Sequence, residues 1–278
     1  VTGALARRAE ALASRLPPLL ARSPQIASTV TAGAHARRRV GPGSSFWQFR
    51  PYAHGDQPGQ IDSRASAKSD RSYVRQTEWE LAQTVHVWRD GSASMDWRSD
   101  PALPTKAERA ALLVLAVSAL LLRGGERVRP LGGAPSPSLD RLAEALARQP
   151  ATGLPAMMNI PANSRLLLAG DFLAPIPEIE AAFRPYATRP VRGHVVQVLD
   201  PAELALPYTG RVRFQGLEAE SDTIVPQVEG IRAAYADAIA TQQAGLRAAC
   251  DRAGWTCTLH RTDARAEDAL LELYQAIA

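Results

Sequence analysis

Asp90, Ser92 and Ser94, in the stretch Trp88-Arg89-Asp90-Gly91-Ser92-Ala93-Ser94-Met95, put a carboxylate and two hydroxyls at alternate positions of one short loop. Side chains spaced this way can converge on a hard cation such as Mg²⁺ or Mn²⁺, which takes oxygen ligands in octahedral array and keeps some of its waters. Asp, Gly and Ser are also ordinary turn residues, and the loop alone reads as a turn. A second acidic loop shifts that balance. The apolar run Arg165-Leu166-Leu167-Leu168-Ala169-Gly170-Asp171 also ends in a carboxylate, so two strand-end aspartates can share one crevice.

The elements that must hold these loops follow from periodicity. Thr84 to Asp90 alternates and is rich in β-branched residues, and Lys106 to Arg123 behind it has helical spacing, which places Asp90, Ser92 and Ser94 in a strand-to-helix loop. In open α/β sheets ligands bind beside such loops, at the carboxyl ends of strands. Further strands are expected at Arg127 to Leu131, Arg165 to Asp171, His194 to Leu199 and Trp255 to His260. The expected helices run from Ser138 to Arg148, Ile176 to Phe183, Pro226 to Ala253 and Ala264 to Ala276, with Ser138 and Asp263 as N-caps. In the Pro226 to Ala253 helix, Val228, Ile231, Tyr235, Ile239, Leu246 and Cys250 form a stripe that should pack along the sheet. A hairpin is expected at Arg211 to Phe214 with a partner strand. Strands alternating with helices indicate an α/β fold: a three-layer, doubly wound, mainly parallel sheet.

The N-terminal part differs. Thr2 to Arg15 reads as a helix, Pro17-Pro18 breaks it, and a polar Arg-rich stretch with His35, Arg37, Arg38 and Arg39 follows as a solvated face. From Ser44 to Glu80 aromatic, charged and glycine residues are interleaved, with Tyr73-Val74-Arg75 as a strand leading toward Trp79. Residues 1–80 are therefore read as an extension and residues 81–278 as the main domain.

Composition excludes several classes. At 278 residues and 46% hydrophobic content the chain can bury a substantial core, and a formal charge of +4 does not call for nucleic acid. Lys68 and Lys106 are its two lysines among 32 basic residues, which reads as compositional bias without functional meaning. Cys250 and Cys257 belong to no metal-binding cluster, and as reduced core residues they favour a cytoplasmic setting. The apolar run Ala110 to Leu122 is shorter than the roughly 20 residues a membrane span needs. No P-loop, G-x-G-x-x-G or nucleophile elbow is present, which argues against nucleotide hydrolysis, dinucleotide binding and serine hydrolysis. Mg²⁺-dependent phosphoryl transfer, with Asp90 as nucleophile and Asp171 holding the ion, is the enzymatic alternative; against it, no lysine lies on a later strand end to neutralise the phosphoryl group. His86 and His194 fall within strands and are packing residues. His54, in the polar loop Tyr52-Ala53-His54-Gly55-Asp56, is a candidate to approach the acidic crevice, as are Gly91 and Arg50.

The ordered run Gly41-Pro42-Gly43, Phe46, Phe49-Arg50-Pro51-Tyr52, Gly55-Asp56, Ile61-Asp62, Ser66-Ala67, Tyr73-Val74-Arg75, Glu78 and Glu80, followed by Asp90-Gly91-Ser92-Ala93-Ser94-Met95, resembles the bacterial family known as domain of unknown function fifty-eight. Leu166 to Phe172 and Asp200-Pro201-Ala202-Glu203 resemble its later segments. The resemblance implies a von Willebrand factor A-like, Rossmann-like fold, with Asp90, Ser92 and Ser94 as the first loop of a metal-ion-dependent adhesion site and Asp171 as the aspartate of its last. In such a site a partner's acidic side chain completes the coordination, so the metal serves adhesion and the protein is not an enzyme. The resemblance also implies a MoxR-type AAA ATPase as partner, in chaperone-like assembly or activation. Such sites take a threonine from a middle loop as well. The matching region, Gly132 to Ser138, offers only serines, with Ser136 or Ser138 as the substitute ligand in an incomplete or weak set, so a scaffold with a degenerate metal site is a further alternative.

Overall fold

The computed structural model describes residues 2–15, 39–53, 61, 63–67, 72–79, 84–218 and 221–277. The chain divides into two compact units, Val1–Ser28 with Thr84–Ala278, and Thr29–Gln83. Helix α1 (Thr2–Ser14) belongs to the first of these, where it packs on three later helices and buries Ala6, Ala9, Leu12 and Ala13. The smaller unit is an antiparallel pair, β1 (Arg39–Pro51) and β2 (Tyr73–Trp79), with a one-turn helix α2 (Ser63–Ser66) between them. Its register carries Pro51 opposite Tyr73 and Arg50 opposite Val74, with shifts between Val40 and Ser45 and between Phe46 and Gln48.

The larger unit is built on β3 (Thr84–Arg89), α3 (Lys106–Arg123), β4 (Arg127–Pro130), α4 (Leu139–Ala147), β5 (Arg165–Gly170), α5 (Ile176–Ala187) and β6 (Arg192–Leu199). There follow a short helix α6 (Pro201–Ala205), a hairpin β7 (Val212–Phe214) with β8 (Thr223–Val225), then α7 (Arg232–Arg252), β9 (Thr256–Arg261) and α8 (Ala266–Ile277). Five strands form a wholly parallel sheet in the order β4-β3-β5-β6-β9. The expected three-layer α/β architecture is what the structure has. β3 and β5 are near-continuously apolar because helices cover both of their faces. On one face Trp88, Leu168, Phe172, Phe183, Tyr186 and Trp255 join Leu246 and Cys250 in a core under α5 and α7. The other face is covered by α3, whose Thr105/Glu108 capping box fixes its start and whose last turn closes at Gly124.

Two helix expectations need correction. Helix α5 continues through Pro185 to Ala187, beyond the expected end at Phe183. The stripe expected from Pro226 is broken: a 3₁₀ turn (Val228–Gly230) precedes α7, Ile231 is 40% exposed, and within the helix only Leu246, Ala249 and Cys250 are buried. Both cysteines are free thiols. No described helix is long and apolar enough to cross a membrane.

Candidate functional site

The chain leaves β3 in one direction, through α3 to β4, and returns past it to β5 on the other side. The carboxyl ends of β3 and β5 therefore flank the point where strand order reverses, which is where open α/β sheets leave a crevice. Asp90 follows the last residue of β3 and is held there by its backbone N–H on the Ala169 carbonyl, 2.8 Å away; Asp171 follows β5 directly.

Two adjacent serine hydroxyls bridge the two aspartates, each donating to one of them. Asp90 Oδ1 accepts from the Ser92 backbone N–H (2.8 Å) and from Ser92 Oγ (2.6 Å). Ser92 Oγ lies 3.1 Å from Ser94 Oγ, which donates to Asp171 Oδ2 at 2.7 Å. The second oxygen of Asp90 is different. Asp90 is fully buried, and its Oδ2 has no hydrogen-bond partner among the described residues. Gly170 makes room for it, since a Cβ there would stand 2.9 Å from Asp90 Cβ and 3.1 Å from Oδ2. Burial pushes the Asp90 carboxyl up to about 6; the two bonds from Ser92 oppose this, and the neighbouring Asp171 and Glu218 charges add to it.

Lys106, the first residue of α3, closes the crevice from the opposite side. Only 1% exposed, its Nζ donates to Asp171 Oδ2 at 2.9 Å and to Glu203 Oε1 at 2.5 Å. Burial alone would lower its pKa, but the Asp171 and Glu203 carboxylates outweigh that and raise it, so the ammonium stays charged. Glu203 serves twice, because its Oε2 accepts from the Asp200 backbone N–H in the capping box of α6. Above the loop, the Ser94 backbone N–H donates to Glu218 Oε1 at 3.1 Å.

Of the residues expected at the site, Asp90, Ser92, Ser94 and Asp171 are brought together. Gly91 lies in their loop with its Cα against the Pro150 carbonyl, where a Cβ would stand 2.8 Å from the oxygen. Ser138 is elsewhere employed: exposed, it caps α4 by accepting from the Arg141 N–H. Arg50 is in β1 of the smaller unit, and His54 lies outside the described residues. Sequence reasoning missed Lys106 and the role of Glu203. The available signal was a lysine, in a chain whose basic residues are almost all arginine, placed directly after an N-capping threonine.

Chemically the site is a set of hard oxygen donors with an internal ammonium. Among the described residues no three His, Cys, Asp or Glu side chains are grouped to hold a metal, so a cation here would depend on Asp90, Asp171 and the two hydroxyls. An unpaired buried carboxylate also has a measurable cost. Asp90→Asn is expected to stabilise the fold by about 1–3 kcal/mol above pH 6, with the gain vanishing below about pH 4, where the carboxyl is protonated in both states. Urea unfolding in chelator at pH 5 and pH 8 measures this; an unstabilised variant at pH 8 would mean that a positive group neutralises Asp90.

Residues 48–134 and 139–245 match the family model described as a protein of unknown function, DUF58. A search of curated proteins finds no match. Asp90, Ser92, Ser94 and Lys106 lie in the first matched stretch and Asp171, Glu203 and Glu218 in the second, while Ser138 falls between them. With the match extending over more than half of its length and taking in the whole hydrogen-bonded crevice, the chain belongs to the DUF58 family.

Proposed function

We propose that the chain is a protein-interaction module, without enzymatic activity, whose crevice holds Mg²⁺ or Mn²⁺ and through it the acidic side chain of a partner. The observation that carries this reading is Asp90 Oδ2, a buried carboxylate oxygen with no partner among the described residues, on a loop whose Ser92 hydroxyl meets Asp90 and whose Ser94 hydroxyl meets Asp171. Burying an unpaired carboxylate opposes folding, and sites that keep such a group commonly use it. Asp90, Ser92 and Ser94 would hold the cation, and Asp171, already shared with Lys106, would add charge to it. The ion would supply a positive centre that accepts a carboxylate. On the family resemblance the partner is a MoxR-type AAA ATPase, and the process chaperone-like assembly or activation.

Pull-down of a MoxR-type ATPase by the full chain tests this. Chelator and Asp90→Ala are each expected to weaken capture by about tenfold or more, the size of a lost charge-assisted contact, with the unfolding transition retained. Equal capture in chelator and in Mg²⁺ would reject the mechanism.

One observation favours a second reading, Mg²⁺-dependent phosphoryl transfer at the same crevice. The Lys106 ammonium beside Asp171 is the kind of positive group that reaction requires, delivered from a helix and not from a strand end. Turnover of generic phosphate esters that disappears in Asp90→Asn would select it over the interaction module.

A further inference from the structure

Beside the crevice, and sharing Ser94 with it, lies a cavity of about 490 Å³ bounded by Trp97, Leu206, Tyr208, Phe214, Leu217 and Tyr235. Its size falls within the range of about 300–1,000 Å³ usual for ligand sites. Four parts of the larger unit build it: the loop after β3, helix α6, the segment between α6 and β7 with the adjoining hairpin arm, and the first turn of α7.

The charges on its wall are already paired. Glu203 is held by Lys106, and the Arg213 guanidinium by Asp222, with Nε 3.0 Å from Oδ2. Neither a cation nor an anion entering the cavity would meet an uncommitted counter-charge there. Four aromatic side chains, Trp97, Tyr208, Phe214 and Tyr235, stand in its wall with aliphatic and polar neighbours. Tyr208 and Phe214 meet edge to face at 5.9 Å and 74°, an arrangement that leaves ring surface for a further aromatic neighbour. Tyr235 is fixed by its hydroxyl on the Glu203 carbonyl at 2.7 Å. The indole N–H of Trp97 and the hydroxyl of Tyr208 donate to no described residue, and both residues line the cavity beside Ser94, Glu203, Arg213 and Gln215. Leu217, on the rim, is 48% exposed, an apolar surface that an occupant would cover.

We infer that this cavity receives the aromatic side chain of an extended partner segment, whose flanking carbonyls accept from Trp97 and Tyr208 while a neighbouring residue of the segment approaches Ser94. The inference rests on the interaction-module reading for the nature of the partner, but the pocket needs no metal to work. An uncharged ring matches a wall whose charges are internally neutralised, and peptide carbonyls match its spare donors.

The test is titration of the ¹⁵N-labelled full chain, in chelator, with N-acetylphenylalanine amide, N-acetylalanine amide and N-acetylarginine amide, following indole N–H resonances. The Trp97 signal is assigned by its loss in Trp97→Phe. It is expected to shift saturably with the phenylalanine amide, with an affinity about tenfold above that of the alanine amide, as burial of a phenyl group implies. Phe214→Ala, or Leu217→Glu should the first disturb the hairpin, is expected to remove that preference. No shift, an equal or greater response to the arginine amide, or an unchanged preference in both variants would overturn the inference. Because chelator is present throughout, loss of cation-dependent capture in the pull-down and loss of ring binding here are separate outcomes.

Discussion

Lys106→Met is expected to destabilise the larger unit by about 3–5 kcal/mol, the usual consequence of removing one member of a buried ion network and leaving its counter-charges behind. The side chain is almost wholly buried and its ammonium serves two carboxylates that come from different elements, Asp171 after β5 and Glu203 in α6. Methionine conserves the length and apolar stem, so the loss reports charge and not a cavity. Asp171 and Glu203 are then left close together with no cation between them. Combining Lys106→Met with Asp171→Asn and Glu203→Gln should recover most of the loss, since removing a whole buried network is far less costly than removing one partner. Urea unfolding at neutral pH measures both variants; a loss below about 1 kcal/mol for the single substitution would mean that the triad contributes little. The same experiment bears on the cation. On the proposed reading lysine and metal would compete for Asp171, so Mg²⁺ should then stabilise Lys106→Met more than the parent chain, by the linkage that any ligand of the folded state obeys.

How this site is assembled explains what could be read before the fold was known. Helix α3 is legible to the residue because Thr105 and Glu108 form a capping box at one end and Gly124 follows the other. Asp90 and Asp171 are legible as strand-end carboxylates because β3 and β5 are apolar runs that stop at them. Their adjacency is not local information. It arises from the order β4-β3-β5, in which the chain reverses direction around β3. Lys106 escaped for the same reason: its chemistry depends on Asp171 and Glu203, 65 and 97 residues away. The expected stripe on α7 failed where tertiary context decides. Ile231 and Ile239 have the right spacing, yet neither is buried, because the sheet-facing contact of this helix is confined to Leu246, Ala249 and Cys250. Ser138 was legible as a cap, and the cap is the role in which the structure uses it.

Acidification from pH 6.5 to pH 4 is expected to remove several kcal/mol of stability. Three histidines lie within the central sheet, His86 on β3, His194 on β6 and His260 on β9, all buried. Burial lowers each to about 4; Arg129 adds to this at His86, and at His260 Arg109 adds while Asp263 opposes. A folded-state pKa depressed below the unfolded value near 6.5 means that the unfolded chain takes up the proton first. The stability that neutral histidine allows is therefore complete above about pH 6.5 and declines as the pH falls toward 4, by up to about 3 kcal/mol per residue. Asp90 acts in the opposite sense. Its raised pKa lets the folded state bind a proton between about pH 6 and 4, which offsets roughly one histidine. The net loss is a large part of the roughly 5–15 kcal/mol that holds an ordinary domain together. His86 gives the cleanest check, because neither of its ring nitrogens has a hydrogen-bond partner among the described residues, whereas His194 is tied to Thr256 and Thr258 at 2.7 and 3.1 Å. His86→Leu keeps an apolar side chain of similar size in β3 and removes one proton site. Urea midpoints should fall between pH 6.5 and 5 in the parent chain and fall less in the variant; a flat profile in the parent would show that the buried imidazoles do not govern acid unfolding.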